Sequence, residues 1–367
     1  MIKVDDIFIK TNSLFSKKYN LKKLLSDIGN PQDNLKVINV VGTNGKGSTS
    51  KFIYDGLLTK YKNVGLFTSP AFLYQNERIQ LNNNLIGDDE LKSIYDYYEK
   101  NYLQYELTFF EIWTFIAILF FSKYKMDYVV VEAGIGGLLD CTNLFNNQVA
   151  VCLTSVSMDH EELLGNSIES IINHKIKITK KNSPVFISED NFIYKNFIDN
   201  YKDIKLIYTN KIKTEVDYQS ANAGLAKELL KYLNVDFTNF IAPVGRFTIL
   251  NENPLFLIDG CHNIDGVKKF VQEIKKYGDF IFLYASSKEK DHNQIINYLK
   301  ENVSNLYITE FDHIKSWKIS NEIKARFNYV NNWKIFLNKN IYNNIVVCGS
   351  LYFIPQVFEW YRSELDE

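Results

Sequence analysis

The octapeptide Gly42-Thr43-Asn44-Gly45-Lys46-Gly47-Ser48-Thr49 gathers three glycines, one lysine and three hydroxyl side chains. Such a stretch can curl its backbone N–H groups around phosphate oxygens, while the lysine adds positive charge and a hydroxyl can bind magnesium. The usual phosphate loop has Ser or Thr directly after the lysine, whereas here Gly47 intervenes. The plain alternative is a glycine-rich turn with an incidental lysine. Glu132 closes an apolar run just before Gly134, Gly136 and Gly137. A carboxylate there can reach a metal at the edge of a sheet, although a capped or salt-bridged acid is the ordinary reading. Ser69 and His160 also stand just past predicted strands, and with Ser48 and Glu132 they could form a magnesium site. Magnesium prefers oxygen, and a lone histidine is more often structural. Asp259 and His262 follow a later apolar run. Asp259 could hold a ribose hydroxyl or a metal, or simply cap a helix, and His262 with Asn263 could face phosphate. Arg246 could pair with phosphate on domain closure or be a solvated linker residue.

These residues need elements to position them. The runs Lys36–Val41, Asn63–Phe67, Asp127–Glu132 and Val149–Thr154 predict strands ending in polar or glycine-rich residues, with helical stretches between. A second series follows at Leu255–Asp259, Phe280–Tyr284, Asn305–Thr309 and Ile345–Cys348. Alternation of this kind predicts α/β architecture with mainly parallel, doubly wound sheets and ligands at the carboxyl ends of the strands. Ile241–Arg246, with Pro243 and Gly245, is the expected hinge. The expectation is a phosphate-loop domain over residues 1–241, then a smaller Rossmann-like α/β domain over 242–367, with a cleft between them.

Composition narrows the class. Lys plus Arg number 42 against 43 Asp plus Glu, a net charge of -1, so the basic surplus of a nucleic-acid-binding protein is missing. The four cysteines form no C-x-x-C pair, which fits a reduced cytoplasmic protein. The stretch MIKVDDIFIK lacks the apolar core of a signal peptide, and the greasy run Phe109–Phe121 contains Glu111 and is too short to span a bilayer. No membrane and no nucleic acid are expected as partners.

The loop, with later motifs in order, resembles the Mur ligase superfamily and, within it, the folylpolyglutamate/dihydrofolate synthases. Thr68-Ser69-Pro70 with Glu77-Arg78-Ile79 is similar to that family's TSP…ERI, and Thr108-Phe109-Phe110-Glu111 to its TxFE. Glu132–Gly137 followed by Leu139-Asp140-Cys141-Thr142-Asn143 resembles EVGLGGRLDATN. Asp159-His160, Leu164–Ser167 and Lys175 resemble DH…LGNT…K, while Gly245-Arg246-Phe247, Asp259–Asn263 and Gly349–Tyr352 match GRF, DGAHN and GSLY. Leu138 stands where the pattern has Arg, and Ala71 where His is common after TSP.

The resemblance implies a monomeric, ATP-dependent ligase of L-glutamate acting on dihydropteroate and reduced folates, with two magnesium ions. It implies Lys46, His160 and Lys175 in catalysis, with Lys175 carbamylated. ATP would meet Thr43, Asn44, Gly45, Lys46, Gly47, Ser48, Thr49, Asn222, Arg246, Asp259 and His262. Metal would meet Ser48, Ser69, Glu132 and His160, and the substrate Glu77, Arg78, Asp140 and Thr142. The competing readings are a related ligase with a nucleotide-sugar acceptor, a phosphate-loop NTPase or kinase, and a non-catalytic nucleotide-binding protein.

Overall fold

The computed structural model describes residues 1–4, 9 and 20–365; part of the N-terminal stretch weighed against a signal peptide lies outside the described residues. The chain divides into two compact units. One comprises Met1–Glu215 and Gln219–Ile241, the other Val216–Tyr218 and Ala242–Glu367.

In the first unit the strands are β1 (Val37–Val41), β2 (Val64–Phe67), β3 (Ile79–Leu81), β4 (Asn84–Leu85), β5 (Tyr128–Glu132), β6 (Gln148–Leu153), β7 (Val185–Ser188) and β8 (Leu206–Thr209). They form one sheet in the order β4-β3-β2-β5-β1-β6-β7-β8. All neighbours from β2 to β8 pair in parallel, and β3 and β4 add an antiparallel edge. The central strand β1 is buried along its whole length, and β5 at all but its first residue. Both therefore read as continuous β-branched runs rather than alternating ones, as strands covered on both faces do. Asn39 interrupts the apolar run of β1. Its amide donates to Thr142 O at 3.3 Å and accepts from Gln148 Nε2 at 2.8 Å, so its burial leaves no polar group unmatched.

The second unit holds β9 (Thr248–Glu252), β10 (Leu255–Asp259), β11 (Ile281–Ala285), β12 (Asn305–Thr309), β13 (Asn328–Val330) and β14 (Ile345–Gly349). Their order is β13-β12-β11-β14-β10-β9, parallel except for the antiparallel edge strand β9. Leu257, Phe270, Phe282, Ile308 and Val346 lie at the centre of its core. All eight strands expected from the sequence are present, with ends shifted by at most one residue. Among the described residues no helix is long and apolar enough to cross a membrane.

The greasy run Phe109–Phe121 forms a buried helix, Phe109–Ser122. Its start is fixed by Thr108 and Glu111 in a reciprocal cap. Glu111 Oε2 accepts from Thr108 N at 3.0 Å and Thr108 Oγ1 at 2.9 Å, and Oε1 accepts from Leu21 N at 3.2 Å. One buried carboxylate thus ties this helix to the helix Asn20–Asp27. Glu111→Ala should therefore lower the unfolding free energy by about 2 kcal/mol in urea titration. A loss below about 0.5 kcal/mol would show that the cap carries little.

Candidate nucleotide and metal site

The carboxyl ends of β1, β2, β5 and β6, four adjacent strands, bring the sequence-predicted residues of the first unit to one edge of the sheet. The helix Lys46–Leu58 begins directly after Gly45, whose φ of 88° is in the left-handed region open to glycine. A Cβ on Gly45 would come within 2.1 Å of Asn222 Oδ1, so the side chain of Asn222 lies against the loop. Asn222 sits on the helix Ser220–Tyr232, and its amide donates to Gln219 Oε1 at 2.9 Å. The loop is also tied to the segment after β6. Thr43 N donates to Ser155 O at 2.7 Å, and Thr43 Oγ1 donates to Ser157 O at 3.1 Å. Lys46 folds back so that Nζ donates to Thr43 O at 3.2 Å. Ser48 and Thr49 are buried in the first turn behind it.

Glu132 ends β5 alongside this turn. Its Oε2 accepts from Thr68 Oγ1 and, at 3.2 Å, from Ser69 N. A Cβ on Gly47 would lie 3.6 Å from the same oxygen, in ordinary contact. The carboxylate therefore faces a helix N-terminus, where negative charge is favoured. Ser69 Oγ accepts from Arg78 Nη1 at 2.9 Å, and Arg78 itself stacks on Phe109 and Trp113. His160 has left-handed φ, 55°, and precedes the short helix Glu161–Leu164, with its ring Nε2 4.0 Å from Asp159 Oδ2. Among the described residues no group of three or more His, Cys, Asp or Glu is placed to hold a metal. The donors brought together at this edge are the Glu132 carboxylate and serine hydroxyls, an oxygen set that fits a hard cation such as magnesium.

Lys175, on the helix Ile168–Ile176, is only 2% exposed. Its Nζ donates to Gly42 O at 2.7 Å, so it lies directly beneath the phosphate loop. Burial, with the charge of Lys46 adding to it, lowers this amine to about 7, against weaker opposition from Asp159 and Asp140.

Two carboxylates expected to meet substrate instead shape backbone here. Glu77 accepts from the amides of Phe72, Leu73 and Tyr74 at 2.6, 3.1 and 3.0 Å. Asp140 accepts from Ile135 N at 2.8 Å, Thr142 N at 2.9 Å and Thr142 Oγ1 at 2.5 Å, and burial raises its pKa. Glu77 fixes the turn before Arg78, and Asp140 with Thr142 fixes the glycine-rich segment after Glu132.

In the second unit Asp259 caps no helix, because Asn263 does so for Ile264–Ile274. Asp259 accepts from Phe247 N and Cys261 N, each at 2.7 Å, and from Tyr218 Oη at 2.6 Å. Arg246 Nη1 donates to Gly260 O at 3.1 Å, and His262 Nδ1 lies 2.8 Å from the same oxygen. Arg246, Asp259 and His262 therefore converge on one turn. The sequence reading missed Tyr218, whose partner is 41 positions away, and Asn191, whose buried amide ties down the end of β6 through Leu153 O, Thr154 O and Val156 N. Neither carries a spacing signal. Gly45→Ala should cost about 1–3 kcal/mol, since it forces an L-residue into positive φ against Asn222. Thermal denaturation measures it, and a variant as stable as the parent contradicts this account of the loop.

The Mur ligase middle domain matches residues 40–252, and the Mur ligase glutamate ligase domain matches residues 245–347. The dihydrofolate synthase/folylpolyglutamate synthase of Haemophilus influenzae is 38% identical, with the match covering 72% of this chain and 71% of that one. The structure of E. coli FolC in complex with ADP superposes with a TM-score of 0.83 at 21% identity, over 98% of this chain and 96% of that one. The bifunctional enzyme from Yersinia pestis, complexed with AMPPNP and a Mn ion, gives 0.81 at 21% identity, over 97% and 95%. The chain belongs to the Mur ligase family, among its dihydrofolate synthase/folylpolyglutamate synthases, which are ATP-dependent ligases of glutamate.

Proposed function

We propose that this protein uses ATP to activate the carboxylate of dihydropteroate, and the γ-carboxylate of folates, and joins L-glutamate to it. The observation that carries this reading is the placement of Lys46 within the phosphate loop and of the buried Lys175 against it, with Glu132 against the loop's helix. A free carboxylate is a poor electrophile, so amide formation needs it converted to an acyl phosphate by the γ-phosphoryl group of ATP. The amino group of glutamate then attacks the acyl carbon, and phosphate leaves.

The residues divide the work. Backbone N–H groups between Gly45 and Ser48 cradle the phosphates, and Lys46 moves from Thr43 O to neutralise charge on the transferring group. Asn222 braces Gly45 so that the loop keeps its curl. Glu132, Ser48, Ser69 and His160 are the residues that would hold magnesium, which when bound shields phosphate charge from the attacking carboxylate. Arg78, which ends the turn before β3 against Phe109 and Trp113, is assigned to the substrate, with Glu77, Asp140 and Thr142 shaping its pocket. Arg246, Asp259 and His262 are assigned to the nucleotide, and the glutamate ligase domain match over residues 245–347 supports a glutamate-binding second unit. Release of ADP should require both glutamate and acceptor. ADP release with neither present would favour a simple phosphate-loop NTPase.

Lys175 is proposed to react with carbon dioxide. Carbamylation needs a neutral amine, and burial under the loop supplies one near pH 7. The carbamate would offer oxygen to a second magnesium in place of a repelling ammonium.

Two outcomes follow from these assignments. Lys46→Ala should lower turnover by orders of magnitude, equivalent to several kcal/mol of transition-state stabilisation, while circular dichroism stays unchanged; near-normal turnover by the folded variant overturns the loop's role. Lys175 should gain the mass of one carbon dioxide in bicarbonate buffer. Because its amine is neutral above about pH 7 and charged below, the modification should form at pH ~8 and fade towards pH ~6. An unmodified lysine at both, with full activity in Lys175→Ala, contradicts the proposal.

A further inference from the structure

The segment Val216–Tyr218 leaves the first unit in sequence and joins the second, after which the chain returns to the first at Gln219. Three anchors fix it. Val216 and Tyr218 pack on the core of the second unit, and the Tyr218 ring meets Phe247 edge-on at 6.1 Å. Asp217 N donates to Glu273 Oε2 at 3.0 Å, and Lys276 Nζ reaches Asp217 at 2.6 Å. Tyr218 Oη donates to Asp259 Oδ2 at 2.6 Å.

The Asp259 carboxylate that receives this hydroxyl also holds a turn under strain. Gly245 has φ 83° and Phe247 has φ 46°, two left-handed residues flanking Arg246. A non-glycine residue in that region costs about 1–3 kcal/mol and persists only where its surroundings impose it. Here the imposing contact is Phe247 N donating to Asp259 Oδ2, the oxygen that also accepts from Tyr218. The orientation of Asp259 thus sets the turn that carries Arg246, and the Tyr218 hydroxyl is a side-chain donor, beside the amides of Phe247 and Cys261, that the described contacts place on Asp259. The chain then runs from Tyr218 to Gln219, whose side chain accepts from the Asn222 amide lying against Gly45.

We infer that Tyr218 is a positioning residue of the ligase reaction: its hydroxyl aims Asp259 and so presents Arg246 to the nucleotide. The inference rests on the proposed ATP-dependent ligation and goes beyond it by assigning a residue that touches no substrate. Burial and the Asp259 charge push the Tyr218 phenol well up, so the hydroxyl remains a donor across the working pH range.

The test compares Tyr218→Phe, which keeps the ring against Phe247 and loses only the donor, with the parent enzyme. The Michaelis constant for ATP should rise about tenfold, while those for glutamate and the acceptor stay within twofold. Tyr218→Trp, which keeps a ring and an N–H donor, should recover part of the ATP affinity and covers the case in which the phenylalanine variant does not fold. Lys276→Ala, which removes the ion pairs to Asp217 and Glu273 and leaves the Tyr218 hydroxyl in place, should behave as the parent. A lowered thermal midpoint in Tyr218→Phe with an unchanged constant for ATP would make the residue merely structural and overturn the inference. Loss of ATP affinity in Lys276→Ala to the same degree would also overturn it, because the strap rather than the hydroxyl would then be responsible. Absence of glutamate-dependent ADP release in the parent enzyme would instead overturn the proposed ligation.

Discussion

An amine buried beneath a phosphate loop is the constraint around which the first unit is organised. Lys175 can be buried at this position because burial lowers its amine to about 7, so that the neutral form is well populated near pH 7, and its Nζ has Gly42 O as an acceptor. A charged ammonium with the same burial would cost several kcal/mol. That arrangement requires Gly42 to turn its carbonyl inward, and there is no room at Gly42 for a side chain, since a Cβ would come within 1.8 Å of Thr154 Oγ1. The loop must then be tied to the strand beyond, which Thr43 and Asn44 do through Ser155 and Ser157. Lys46 is thereby left above the loop and Lys175 below it.

The sheet makes this arrangement possible. In parallel sheets covered on both faces, ligands sit where loops leave the carboxyl ends of the strands. Thr68, Ser69, Glu132 and the segment from Thr154 to His160 all leave strands at that edge. Their mutual hydrogen bonds explain why polar residues buried to this degree are compatible with a stable core. The second unit repeats the device with a carboxylate in place of an amine: Asp259 at the end of β10 collects one hydroxyl and two backbone amides, and the turn bearing Arg246 is built around it.

Much of this was legible in the sequence. The eight strands were visible because each is a short, mostly apolar run that ends in polar or glycine-rich residues, and the loop was visible because its glycines and lysine have a fixed spacing. The elements not foreseen are short or at edges: β3 and β4 have three and two residues, and β9, an edge strand, has only Ile249 and Leu250 as apolar residues. β7 and β8 are apolar enough to have been read as strands, but lie among helical lysine-rich stretches that blur the period. Side-chain roles were less legible than side-chain presence. Glu77 and Asp140, expected to meet substrate, also hold backbone amides, a partnership that depends on turn conformation rather than on residue type. Asp259 was weighed as a helix cap, and the cap is Asn263 four positions later. Tyr218 had no signal at all, because its partner is distant in sequence and nothing local distinguishes it from the many other tyrosines.

The central claim is that the acceptor carboxylate becomes an acyl phosphate before glutamate attacks. Dihydropteroate labelled with oxygen-18 in its carboxylate tests it most directly. One labelled oxygen should appear in the phosphate released for each amide formed, as read by phosphorus NMR or mass spectrometry. Stoichiometric product formation with unlabelled phosphate would contradict the account.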